Sequence, residues 1–187
     1  MRYFMSRSFK RLRIAHKALP KTDLTTMPKI GQIIDCDLSN SLMESSNHKL
    51  LVIRHSNLKQ VNLKKSRLIG AKVIHSNLGH AKLDYSSMQN TTFYRANLRE
   101  ANMECSSLKY SVFNQSDLSK VNLRWSNLDG VMFQKTNLQN VDLCNSNLQT
   151  AKFVDCNLNG ATFNFHTKLP FSYEVAQKYG MILKEEF

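Results

Sequence analysis

From Leu58 to Phe163 a large apolar residue returns at every fifth position, through Leu63, Leu68, Val73, Leu78, Leu83, Met88, Phe93 and onward without a slip. A period of five fits neither the 3.6-residue helix nor the two-residue strand, so the chain reads as a structural repeat. Two residues before each large centre stands a small or modest side chain, as in Ser56, Val61, Ser66, Ala71 and Ser76. No charge falls at either position between Ser56 and Phe163. Residues two apart in extended chain point to the same side, so the small and large residues enter an interior together while the one between them faces water. The two residues after each centre then turn a corner. A short flat run plus a corner, repeated at constant length, winds into a solenoid whose coils stack by backbone hydrogen bonds.

The triplets Ser56-Asn57-Leu58, Ala96-Asn97-Leu98, Ser126-Asn127-Leu128 and Ser146-Asn147-Leu148 resemble the A(D/N)LXX signature of the pentapeptide-repeat family. The resemblance implies an all-β solenoid, a right-handed quadrilateral β-helix with four pentads per coil, over residues 33–165. Phenylalanines at 93, 113, 133 and 153 support twenty residues per coil independently, because that spacing puts them on one side in a ladder. Counting centres from Leu38 to Phe163 gives 26 units, six and a half coils. At one strand spacing per coil the rod is about 30 Å long. His48 at a centre and Leu51 at a small-residue position mark the first coil as imperfect.

Residues 1–32 form a basic N-terminal segment, read as a cap or a targeting arm. Met1 to Pro20 holds six Lys/Arg and no acid. Phe9, Leu12, Ala15, His16 and Leu19 recur at helical steps, which predicts a short amphipathic helix stopped by Pro20. Such a helix would cover the open edge of the first coil; its composition also suits an anionic-membrane anchor, an organellar presequence or a secretion tag of a bacterial effector. Residues 166–187 read as a C-terminal capping helix and tail, with Ser172 as N-cap and Gly180 just past the end. Phe171, Val175, Tyr179, Met181 and Ile182 would close the last coil. In topoisomerase-protecting members of the family a comparable region makes the dimer, so the same residues could join two rods.

The net charge of +12 is unevenly placed. Residues 1–82 hold 16 Lys/Arg against Asp23, Asp35, Asp37 and Glu44, whereas residues 83–187 hold ten of each sign. A basic region of this kind attracts acidic proteins, phosphates or anionic lipid. On the side carrying centres 53, 73, 93, 113, 133 and 153, the exterior presents Arg54, His55, Lys72, Ile74, His75, Tyr94, Arg95 and Lys135, with Arg67 and Ile69 at the preceding corner. Apolar groups among cations make this the candidate partner surface.

Catalysis finds no support in the sequence. The six histidines show no HExxH or HxH spacing, the six glycines form no phosphate cradle, and the four cysteines have neither metal nor disulfide spacing. Cys36 and Cys156 fall inside, Cys105 and Cys144 outside, and reduced thiols point to the cytoplasm. No cofactor or metal is expected. Three readings follow: a noncatalytic scaffold for an acidic protein, of the bacterial regulator or effector type; a nucleic-acid or nucleoprotein binder through the basic early coils; and a DNA mimic protecting gyrase, as in the family's topoisomerase-protecting branch. The positive charge weighs against the last, since it repels a basic DNA-binding saddle.

Overall fold

A computed structural model describes residues 12–27 and 29–185. Eight short strands lie side by side in one parallel sheet, in sequence order. They are β1 (Leu12–Ala15), β2 (Ile30–Ile34), β3 (Val52–Arg54), β4 (Lys72–Ile74), β5 (Thr92–Tyr94), β6 (Val112–Asn114), β7 (Met132–Gln134) and β8 (Lys152–Val154). From β3 onward each residue pairs with the one twenty ahead, as in Ile53↔Val73 and Phe93↔Phe113. This sheet is the first of four faces. The other three are built from parallel bridges, such as Asn57↔Asn77 on the second, Asn62↔Lys82 on the third and Arg67↔Ser87 on the fourth.

The centre of each pentad is buried except Phe153, which is half-buried, and so are most of the small residues two before it. Most buried serines are tolerated because the hydroxyl finds a nearby carbonyl, as where Ser86 Oγ donates to Leu83 O at 2.5 Å and Ser126 Oγ to Leu123 O at 2.6 Å; the hydroxyls of Ser106 and Ser119 are buried with no such partner among the described residues. On the first face the rings of Phe93, Phe113 and Phe133 stack at 4.6 and 5.2 Å, with Phe153 a further 5.1 Å along. Those distances match the spacing of adjacent strands, so the backbone ladder itself sets the rings in contact.

Corners require an unusual backbone. The second residue after each centre has positive φ at every position from Asn40 to Gly160 except Thr150. For a residue with a Cβ this conformation costs about 1–2 kcal/mol. β-Branched side chains tolerate it least, and Thr150 is the β-branched residue in that series. A turn hydrogen bond closes most corners, such as Val61 N–H to Leu58 O at 3.1 Å. Adjacent coils also bond each other in both directions: Leu58 N–H donates to Asn77 O at 2.7 Å, and Asn77 N–H to Ser56 O at 2.9 Å.

The N-terminal segment departs from expectation. Phe9 lies outside the described residues, and from Leu12 the chain is strand rather than helix. Leu12 and Ile14 are buried in alternation, and β1 pairs with β2 through Ile14↔Ile33. Leu24 is buried below Met43, with Asp23 bridging Leu42. Residues 12–27 thus form a further coil, and the solenoid is longer than the six and a half coils counted from the sequence. Leu12, one of the residues at helical steps, also starts a two-residue alternation with Ile14. The parallel edge of β2 selects the strand.

This added coil is one residue short of the rest and has a bulge at Leu12/Arg13. His48 fills the gap: it is buried, and its Nδ1 accepts from Ile30 N–H at 3.1 Å. Its Nε2 is buried with no hydrogen-bond partner. Burial, and then the nearby Lys29 ammonium, push its pKa down from 6.5 to about 4.

At the other end, β9 (Thr162–Phe163) pairs with β10 (Ile182–Leu183), and between them lies α1 (Tyr173–Lys178). Ser172 caps α1, its Oγ accepting from Val175 N–H at 3.4 Å. Ala176 and Met181 are buried and Phe171 rests on Phe153 at 5.8 Å, so α1 and its flanks close the Phe ladder. Tyr179 and Ile182, expected against the last coil, are 50% and 54% exposed. Cys144, expected outside, is buried. The C-terminal segment crosses its corner, where Asn164 Nδ2 donates to Asn145 Oδ1 at 3.3 Å and Lys184 Nζ to Asp142 Oδ2 at 3.3 Å. Cys156 sits in the last full coil and is only half-buried.

Candidate interaction surfaces

The stacking of coils places the outward residues of the first face in columns. Arg54, Ile74 and Tyr94 are successive ladder partners, and Lys72 stands between Val52 and Thr92. At the following corner His55 and His75 stack with centroids 5.2 Å apart and planes 12° from parallel, and the Tyr94 ring meets His75 edge-on at 5.4 Å. Arg95 lies 5.2 Å from the Tyr94 centroid and donates from Nε to Gln115 Oε1 at 2.6 Å. In this arrangement Arg54, His55, Lys72, His75 and Arg95 are exposed and Ile74 and Tyr94 half-buried. Among the described residues no carboxylate lies within 4.0 Å of Arg54, Lys72 or Arg95. Lys135 is exposed two coils beyond Arg95.

Arg67 does not join this column. It bridges Asn47 and Ser87 and so points out of the fourth face, while half-buried Ile69 lies at the corner between the fourth and first faces. The second face carries a side-chain amide ladder: Asn97 Nδ2 donates to Asn77 Oδ1 at 3.1 Å and Asn77 Nδ2 to Asn57 Oδ1 at 3.3 Å. Each Oδ1 also accepts a backbone N–H two residues on, as from Arg99 at 3.0 Å. That ladder spends its polar groups on the fold.

Exposed aromatics cluster elsewhere, at Tyr85, Tyr110 and Trp125. Tyr85 and Trp125 are visible in the sequence as matching corners two coils apart; Tyr110, at the next corner round, has no counterpart twenty residues away and was not singled out by spacing. On the third face Asp142 is held below the usual carboxylate range: burial raises its pKa, but the Cys144 backbone N–H and the Lys184 ammonium outweigh that. Among the described residues no group of three or more His, Cys, Asp or Glu is placed to hold a metal ion, and no helix is long and apolar enough to cross a membrane.

Comparison with known proteins gives the architecture a family. A model described as "Pentapeptide repeats (8 copies)" matches residues 52–84, and one described as "Pentapeptide repeat region" matches residues 86–163. A pentapeptide repeat protein from the thylakoid lumen of Arabidopsis thaliana is 20% identical, with a TM-score of 0.52 over 59% of this chain and 74% of that one. A trypsin-treated variant of QnrB1, a plasmid-mediated fluoroquinolone resistance protein, is 12% identical, with a TM-score of 0.50 over 92% of this chain and 89% of that one. At such identities the likeness is one of fold. No curated protein matches the sequence. With two family models in continuous register over the coils and a four-sided parallel stack beneath them, the chain belongs to the pentapeptide-repeat proteins.

Proposed function

We propose that the protein is a noncatalytic scaffold whose first face binds an acidic protein. The observation that carries this reading is the cationic cluster of Arg54, Lys72 and Arg95 on neighbouring columns, with no carboxylate within 4.0 Å among the described residues, interleaved with Ile74 and Tyr94. Charges already neutralised at home have little to offer a partner; these have not been. The rigid ladder presets their spacing, so binding orders few side chains beyond the arginines and lysines themselves. The sign of the field also argues against mimicry of DNA, which requires a negative surface.

Exposed Tyr179 and Ile182 at the C-terminal end suit self-association of two rods, and this arrangement would leave the first face open. The test is capture on the immobilised chain compared with an Arg54→Glu, Lys72→Glu, Arg95→Glu variant. The expected partner is released by moderate salt, survives nuclease treatment and is lost with the charge reversal. Capture that disappears on nuclease digestion, or that the variant retains in full, would defeat the reading.

A further inference from the structure

The fourth face differs from the other three. Its floor is a column of small polar residues, Ser87, Ser107 and Asn127, joined as successive bridge partners. One bounding corner carries Tyr85 and Trp125, and the opposite corner carries Tyr110. In order of height the three rings climb one coil at a time and alternate sides, with rises of about 4.8 Å. Their exposures are 54%, 58% and 58%, and all three sit at left-handed corners, with φ of 59°, 58° and 58°.

Folding gives no reason for aromatic residues there. The conformation favours Gly and Asn, and exposure forgoes the gain from burying a ring. Yet Tyr85 and Tyr110 rest against neighbours. Tyr110 lies over the next corner of its column, where Gly130 has no Cβ to obstruct it. Lys64 Nζ stands 5.5 Å from the Tyr85 centroid, and Lys109 Nζ 5.8 Å from that of Tyr110.

Charge on this face is graded. At the early end, Lys49, Lys65 and Arg67 have no carboxylate within 4.0 Å among the described residues. The acids nearby are engaged: Asp84 is buried on Lys64 at 3.0 Å, Asp129 bonds Thr150 at 2.6 Å and lies 3.6 Å from Lys109, and Glu104 accepts from Asn122 at 3.4 Å. The face therefore offers available cations at one end, ring platforms along its edges and hydroxyl and amide groups between them. A ligand that matches all three is a chain with a regularly spaced anion and a flat apolar ring on each unit. Paired bases would not expose their faces to the rings, so the strand must be single.

We propose that the fourth face binds single-stranded nucleic acid, with bases stacked on Tyr85, Tyr110 and Trp125 and phosphates drawn to Lys49, Lys65 and Arg67. This goes beyond the acidic-protein reading and uses a different face. Trp125 is the single tryptophan of the chain, so it reports directly. The test is a low-salt titration of the full chain with oligo(dT) of about 15–20 nucleotides, a length that spans such a site. Saturable quenching of Trp125 emission is expected. An abasic oligomer of equal length should bind at least about tenfold more weakly and leave the emission unchanged, since it keeps the phosphates and lacks the rings.

Tyr85→Ala and Tyr110→Ala should each weaken binding roughly tenfold at unchanged Tm. Arg67→Gln should reduce the salt slope by about one. The Arg54→Glu, Lys72→Glu, Arg95→Glu variant should still quench, weakened only through its lower net charge. Complete loss in that variant would move the ligand to the first face and overturn the assignment. Absence of quenching, equal response to the abasic oligomer or to polyglutamate, or indifference to both tyrosines would each overturn it as well. Since the quenching and the capture experiment read different faces, failure of one leaves the other standing.

Discussion

Below Leu83 the first-face column is filled by Ile33, Ile53 and Val73, and the chain carries 16 basic residues against four acids; above it the column is Phe93, Phe113, Phe133 and Phe153, and the signs balance at ten each. The backbone does not register the change. Val73↔Phe93 pairs in the same register as Ile53↔Val73 and Phe93↔Phe113. What is conserved through the rod is the rung, and each rung accepts whatever its two neighbours can pack against. Interior and exterior can therefore be specified almost independently: the late coils gain ring stacking, the early coils gain charge, and neither needs the other.

The comparison can be broken most forcefully in the late coils. Phe113, buried between two rings, should cost about 3–5 kcal/mol when replaced by Ala, and more when replaced by Lys, which puts a charge in a dry interior. In the early half, Ile53→Val should cost only about 1 kcal/mol. Thermal or denaturant unfolding measures both, and equal losses would mean that ring stacking adds nothing to the late half.

A second difference concerns pH. His48 is neutral in the folded chain with a pKa of about 4, and the unfolded chain protonates near 6.5, so its contribution is intact above pH 6.5, falls as pH drops, and is lost below about 4. The loss approaches about 3 kcal/mol. Stability measured between pH 7 and 4 should decline more steeply in wild type than in His48→Leu, which restores the aliphatic filling of Leu68, Leu108 and Leu128 in that column. Parallel profiles would place the acid sensitivity elsewhere.

The smallest effect tests the corners. Gln60→Val forces a β-branched residue into positive φ and should cost about 1–2 kcal/mol. Thr150→Val, at the corner that has left that region, should cost no more than about 0.5 kcal/mol for its exposed bond to Asp129. Similar losses at both would show that corner conformation is not what selects the residue.

Much of this was legible in the sequence because the repeat is local. Five-residue spacing fixes which side chains turn inward, and twenty-residue spacing of phenylalanine fixes the rise, with no long-range inference needed. The N-terminal coil was not legible, because Leu12, Ala15 and Leu19 recur at helical steps, and the alternation of Leu12 with Ile14 selects a strand only once the free edge of β2 is known. Cys144 was misplaced for a related reason: its pentad position points outward, and only the returning C-terminal segment covers it. The exterior residues of the first face follow from the same spacing, which sets His55 and His75 twenty apart at one corner, where they stack. Arg67 was assigned to the margin of this face, yet a corner separates the two faces. Tyr110 carried no spacing signal, since its column neighbours are Asn90 and Gly130, and its pairing with Tyr85 and Trp125 emerges only when the corners are seen on either side of one face.

Because each coil hands the next the same set of amide and carbonyl groups, length and azimuth become separate evolutionary dials. An insertion of twenty residues would add one layer and keep every surface column aligned. One of five residues would rotate all that follows by a quarter turn, carrying Trp125 away from Ser107 while leaving the interior filled. A single added residue can be absorbed only where the winding ends, as it is between Asn147 and Lys168, whose pairing spans 21 positions in place of the usual 20.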